Sequence, residues 1–190
     1  MFALVFSVTT TTYLNAQNQK ASQTVQYDFL KGLTKAQVGL DAPDFSAADM
    51  NGKTYSLSSL KGKIVVINFW FVECKPCVIE MPELNEILEK YRSEEVVFLA
   101  FAMNEKPKIE SFLKKPAFDY TILPDSGAVI GNYKIKSYPA HIILDQNSKI
   151  AFSTRRLSNS TAPKIDEATS KHLLISQSFM SFSLKNHKGI

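Results

Sequence analysis

Cys74 and Cys77 are the only cysteines in the chain, and they frame the run Cys74-Lys75-Pro76-Cys77. Residues 63–71 before the run are β-branched and aromatic and read as a buried strand, while residues 76–91 after it read as a helix. A three-residue offset in the first turn of a helix places both sulfurs on one face, close enough for the Cα separation of about 5.5–6 Å that a disulfide prefers. The pair can therefore open and close as a redox couple without backbone movement. Such chemistry needs a thiolate near neutral pH, whereas a free cysteine titrates at about 8.5. At Cys74, unpaired amides, the positive end of the helix dipole and the neighbouring Lys75 all favour the anion. Pro76 suits the first helical position, where its missing N–H has no partner to lose. The plainer readings are two unrelated buried thiols or half of a zinc site. A structural zinc takes about four ligands, and only His141, His172 and His187, far apart in sequence, could join the pair, so no metal is expected.

These cysteines need elements to position them, and the chain can supply them. With 190 residues, 45% hydrophobic and 21% charged, it fits one globular domain with a real core and extra length at both ends. The net charge of +4 is modest and its lysines are spread out, so no nucleic-acid partner is expected. The apolar run at residues 1–8, followed by threonines and Leu14-Asn15-Ala16-Gln17, has the form of a secretory signal cleaved after Ala16. No Lys or Arg precedes the run, which leaves a start further upstream or a disordered tail as the alternatives. The run is too short for a bilayer, which takes about 20 residues, so no stable membrane span is expected. Neither cysteine lies near the N-terminus to carry a lipid. The expected organisation is a signal at 1–16, a flexible segment at 17–37 with a helical patch at 27–30, a domain at 38–180 and a tail at 181–190. A monomer is expected, acting outside the cytoplasm, or inside it if residues 1–16 are not a signal.

Within the domain, residues 42–45 and 55–57 read as a hairpin turned by Asn51-Gly52, and residues 57–62 as one helical turn stopped by Gly62. Strands are expected at 63–71, 96–101, 120–123, 140–144 and 149–153, with helices at 76–91, 106–115, 126–133 and 164–179. Strands alternating with helices imply βαβ crossovers and a mostly parallel central sheet finished by a hairpin at 145–149.

The chain from Val38 to Ser153 resembles the thioredoxin superfamily, and within it the TlpA/ResA-like branch of exported thiol-disulfide oxidoreductases. The resemblance rests on Ala42-Pro43-Asp44-Phe45, Gly52-Lys53, Leu60-Lys61-Gly62-Lys63 and Asn68-Phe69-Trp70 before the cysteines. It continues through Glu80-Met81-Pro82 after them and Ser137-Tyr138-Pro139 leading into residues 142–145. It implies an α/β thioredoxin fold, a central mixed β-sheet flanked by helices with an N-terminal β-hairpin extension. It further implies that Cys74 is the attacking thiolate, Cys77 the shielded resolving thiol, and Tyr138-Pro139 a cis peptide packed beside the disulfide. Read without the resemblance, Pro139 fits equally an ordinary turn before a strand.

Thioredoxin itself carries a buried aspartate where this chain has Asn68, which cannot act as a base. Glu80 matches the acidic residue of the branch. Independently, at about 100° per residue, Cys77, Met81, Leu84, Ile87, Leu88 and Tyr91 form an apolar stripe and Glu80 falls inside it. Burial makes a carboxylate harder to ionise, which suits it to exchange protons with Cys77. The alternative is that Glu80 begins a solvated glutamate face beyond a kink at Pro82. Ala140 stands where such proteins often carry threonine, and Asn147-Ser148 where the last hairpin usually has glycine. A lone histidine on a strand, such as His141, is more often a satisfied core or edge residue than a catalyst. Trp70 and Phe69 are expected to pack the core.

The resulting expectation is a thiol-disulfide oxidoreductase whose partners are protein disulfides or dithiols and an upstream electron donor, with no cofactor. The resemblance favours a reductase, with cytochrome c maturation as one setting. One alternative is a peroxiredoxin-like peroxidase, which needs a threonine three residues before its reactive cysteine, where this chain has Phe71. Another is a non-catalytic module whose dithiol holds copper or an apocytochrome.

Overall fold

The computed structural model describes residues 37–186 except 93, 94, 116, 156 and 160, with side chains through 178. The expected signal at 1–16, the segment at 17–37 apart from Gln37, and residues 187–190 of the expected tail lie outside the described residues.

The first elements are strand β1 (Ser46–Ala48) and strand β2 (Thr54–Ser56), paired antiparallel with Ala48 opposite Thr54. Their turn is closed by Asp49, whose Oδ1 accepts from the amides of Asn51 and Lys53, and Gly52 supplies the left-handed φ of +84°. The first arm lies beyond residues 42–45, where the sequence pattern placed it, because Pro43 has no N–H to give a ladder. Phe45 is instead buried with its ring edge-on to Phe101. A single 3₁₀ turn (Ser58–Leu60) follows.

Five strands form the main sheet: β3 (Ile64–Trp70), β4 (Val96–Ala102), β5 (Thr121–Leu123), β6 (Ala140–Leu144) and β7 (Ile150–Arg155), in the order β5-β4-β3-β6-β7. β3, β4 and β5 run parallel, whereas β6 is antiparallel to β3 and β7 to β6. Helix α1 (Lys75–Lys90) carries the chain from β3 to β4, and α2 (Lys106–Phe112) from β4 to β5. Helix α3 (Gly127–Asn132) precedes β6, and α4 (Thr161–Asn186) follows β7. This is the mixed sheet, flanked by helices and preceded by a hairpin, that the resemblance implied, and with β6 and β7 antiparallel it is less parallel than the alternation of strands and helices suggested. The last helix is longer than its expected span of 164–179 because no glycine or proline interrupts residues 164–186.

Strand β3 is buried at every position, as a central strand covered on both faces must be. The two-residue period of its side chains then divides the core in two. Ile64, Val66 and Trp70 face one layer with Cys77, Met81, Leu84 and Ile87 of α1 and Ala162 and Ile165 of α4. Val65, Ile67 and Phe69 face the other with Leu99, Phe101, Val129 and Ile130. Met81 and Leu84 are 1% exposed, and burying a side chain of that size contributes about 1.5–3 kcal/mol. By the same alternation Asn68 of β3 and His141 of β6 look toward α1, and the register sets them directly opposite each other.

In the β6–β7 turn, Asp145 Oδ1 accepts from the amides of Asn147 and Lys149, and Ser148 takes a left-handed φ of +61°. A residue with a Cβ thus occupies a conformation that glycine adopts at lower cost.

Candidate active site

The site begins where β3 ends. The amide of Met103 donates to the carbonyl of Trp70, and the amide of Val72 to Asn104 Oδ1 at 2.7 Å, so the loop beyond β4 pins the loop before the cysteines. Cys74 is the N-cap of α1 and its carbonyl accepts the first helical bond, from the amide of Val78. The helix starts at Lys75, one residue earlier than expected, so Pro76 is the second helical residue and still removes an N–H that has no partner in the helix.

Cys74 and Cys77 are joined in a disulfide with their Cα atoms 5.3 Å apart. The amide of Cys77 donates to Cys74 Sγ at 3.3 Å, and the two residues are 5% and 1% exposed respectively. Cys77 faces inward onto the α1 core stripe, whereas Cys74 is flanked by the exposed Glu73 and Lys75. Glu73 is ion-paired to Lys108 of α2 and accepts from Asn104 Nδ2 at 3.4 Å. The hydrogen bond from Lys108 is the main reason its carboxyl lies below the usual carboxylate range.

Tyr138 and Pro139 are joined by a cis peptide bond. The Tyr138 ring meets Phe71 edge-on at 5.1 Å between centroids, which ties this segment to the strand end leading into the cysteines. An open groove of about 550 Å³ is lined by Val72, Glu73, Lys75, Val78, Ile79 and Phe112, residues that flank the cysteine run and α2. Its most exposed apolar residue is Ile79, at 66%.

Glu80 lies one helical turn beyond Cys77 on the buried face of α1 and is 2% exposed, so it does not begin a solvated face. The helix continues through Pro82 without a break. Asn68 Nδ2 donates to Glu80 Oε1 at 3.2 Å, and His141 Nε2 lies 3.2 Å from Glu80 Oε2. The structure thus brings Asn68, Glu80 and His141 together from three separate elements. The complete burial of His141 agrees with its reading as a satisfied core residue, and its partner there is Glu80. One signal was available: Asn68 and His141 are polar interruptions of apolar strands, both in phase with the helix-facing side. For Glu73 and Lys108 no such signal exists, because the approach of α2 to the cysteine loop is a matter of packing. Among the described residues, no cluster of three or more His, Cys, Asp or Glu side chains could hold a metal, and no helix is long and apolar enough to cross a membrane.

Residues 38–153 match the AhpC/TSA family. The thiol-disulfide oxidoreductase ResA of Bacillus cereus is 34% identical over 129 residues, covering 67% of this chain and 75% of that one. The thioredoxin-like protein YneN of Bacillus subtilis is 36% identical over 117 residues, covering 60% and 69%. In fold, the chain is similar to a thiol:disulfide interchange protein of the thioredoxin family from Chlorobium tepidum. That structure has a TM-score of 0.60 at 22% identity and covers 70% of this chain and 95% of its own.

Proposed function

The chain belongs to the AhpC/TSA family of thioredoxin-like proteins and is a thiol-disulfide oxidoreductase, and on that premise we propose that it reduces protein disulfides outside the cytoplasm. Cys74 is the attacking thiolate. The observation that carries this assignment is the Cys77 amide aimed at Cys74 Sγ at the start of α1, where the helix dipole also favours an anion. Lys75 and Pro76 support the same position, the first by its charge and the second by leaving the helix start open.

In the proposed cycle, Cys74 Sγ attacks a substrate disulfide and displaces one substrate sulfur as a thiolate. Cys77, held a helical turn deeper, loses its proton and attacks Cys74 Sγ, which releases the second substrate sulfur and forms the intramolecular disulfide. Glu80 is the group that takes the Cys77 proton, since Asn68 has none of the required basicity. An upstream dithiol donor then returns the pair to the reduced form. The apolar groove from Val72 to Phe112 offers a resting place for a substrate segment, and the backbone beside the cis Tyr138-Pro139 bond offers it strand-like pairing. The pattern at residues 1–16 supports export. Apocytochrome c with its paired cysteines oxidised to a disulfide is one substrate of the right chemistry.

Insulin-disulfide reduction and the equilibrium potential against glutathione test this reading. A reductase turns insulin over and has a potential near the roughly −270 mV of thioredoxin. A value near the roughly −120 mV of a strong oxidant would reverse the direction of flow. Tight copper binding without turnover would make the protein a carrier.

A further inference from the structure

Asn68, Glu80 and His141 form a closed polar ring inside the core, 1%, 2% and 0% exposed. Asn68 Nδ2 faces both Glu80 Oε1, at 3.2 Å, and His141 Nδ1, at 3.4 Å. An amide nitrogen can only donate, so the Nδ1 it faces must accept, and the hydrogen of the neutral imidazole sits on Nε2. That Nε2 lies 3.1 Å from Glu80 Oε1 and 3.2 Å from Oε2. Both amide hydrogens and the imidazole hydrogen are then used within the ring, and the carboxylate receives donors on both oxygens. A buried carboxylate without such donors would be strongly disfavoured.

We infer that His141 is a positioning residue for the resolving step: its Nε2–H holds the Glu80 carboxylate oriented to take the Cys77 proton. The inference rests on the reading of Glu80 as that proton acceptor. In the step, the proton on Cys77 Sγ passes to a Glu80 oxygen, and the sulfur electron pair forms the bond to Cys74 Sγ. The bond from Cys74 to the substrate sulfur breaks with its electron pair on the leaving thiolate. One disulfide replaces another, so no further oxidant is needed, and Glu80 returns its proton to solvent or to the leaving thiolate.

Few other groups bear on this carboxylate. His141 meets it from β6 and the neutral Asn68 from β3, while Cys77 lies one turn earlier on α1. Tyr120, just before β5, has a buried hydroxyl without a hydrogen-bond partner. Burial first, and then the charge of Glu80, push its phenol far up, so it remains neutral throughout the working range. Helix α4 buries uncharged Ala162, Ile165 and Thr169.

The test separates attack from resolution. Reduced full-length protein is mixed with an aromatic disulfide that releases one coloured thiol when Cys74 attacks and a second when Cys77 resolves, and both phases are followed across pH by stopped flow. His141→Leu should slow the second phase at neutral pH by about tenfold or more and move its acid limb to higher pH, leaving the first phase within about twofold. His141→Gln keeps a donor and should recover most of the rate, and His141→Leu should add nothing in a Glu80→Gln background. If Glu80→Gln slows resolution while His141→Leu matches the wild type at every pH, the inference fails alone. If Glu80→Gln is itself without effect, the underlying reading of Glu80 fails. Equal slowing of both phases, unrescued by glutamine, would reduce His141 to a packing residue and overturn the inference. Should His141→Leu not fold, long-range proton–nitrogen NMR of the wild type decides: an Nε2–H tautomer at neutral pH is expected, and an Nδ1–H tautomer overturns the inference.

Discussion

Lys108, in the first turn of α2, is ion-paired with Glu73, the residue directly before Cys74. The carboxyl of Glu73 is held low chiefly by this partner, so a negative charge stands beside the Cys74 sulfur at neutral pH and Lys108 offsets its field. Replacing Lys108 by alanine leaves that charge uncompensated. The Cys74 thiolate should then be less favoured and the disulfide harder to reduce. Both side chains are more than half exposed, so the change should be small and should fade in about 1 M salt, where the Debye length is only about 3 Å. Thiolate absorbance against pH, with the potential against glutathione, measures it. A wild-type titration in low salt would show that the pair has no influence on the sulfur.

The unequal placement of the two sulfurs leads to a trapping prediction. Cys77→Ser should accumulate a covalent complex with a disulfide substrate, and Cys74→Ser should not. Non-reducing electrophoresis and intact mass spectrometry read the outcome. Equal trapping through either cysteine would contradict the division of labour.

Acid should loosen the seat of the last helix. Asp166 of α4 accepts from Lys90 Nζ at 2.7 and 2.8 Å and from Tyr91 Oη at 2.6 Å. Burial pushes its carboxyl up, but the hydrogen bonds from Lys90 and Tyr91 outweigh it and hold the group below its ordinary value. A depressed native pKa means that this stabilisation is complete above the unfolded value of about 3.9 and is lost as pH falls through the native one. Asp166→Asn should therefore cost roughly 0.5–1 kcal/mol near neutral pH, a surface-pair magnitude, and the cost should shrink as acid protonates the native carboxyl. Urea unfolding followed from neutral into acid pH checks the sign, and a gap that widened in acid would refute it.

Ser148 offers a stabilising change. A non-glycine residue in the left-handed region costs about 1–2 kcal/mol, and the greater freedom of glycine in the unfolded chain gives back about 0.5–1 kcal/mol. Ser148→Gly should thus gain about 0.5 kcal/mol with insulin reduction unchanged. A lower melting temperature would mean that the serine side chain contributes something its backbone angle does not reveal.

The local periods of the chain were enough for much of this protein. A β-branched run predicts β3, its junction with a helix places the cysteine pair at a helix start, and the 3.6-residue repeat sets Glu80 within the apolar stripe of Cys77 and Met81. Each of these depends on residues within a few turns or one strand of each other. Element ends were less legible: β1 moved past Pro43, and α4 ran on past Phe179 because nothing in the sequence stops it.

What only the tertiary structure decided is which distant residues meet. His141 lies 61 residues from Glu80 and 73 from Asn68, and it reaches them because β6 pairs antiparallel with β3 in a register that sets Asn68 against it. A slip of one residue would turn His141 to the opposite face of the sheet. The contact of Lys108 with Glu73 depends likewise on how α2 settles against the cysteine loop. Sequence periodicity shows which face a side chain takes, whereas register and packing, set by the sum of many buried contacts, determine what that face meets.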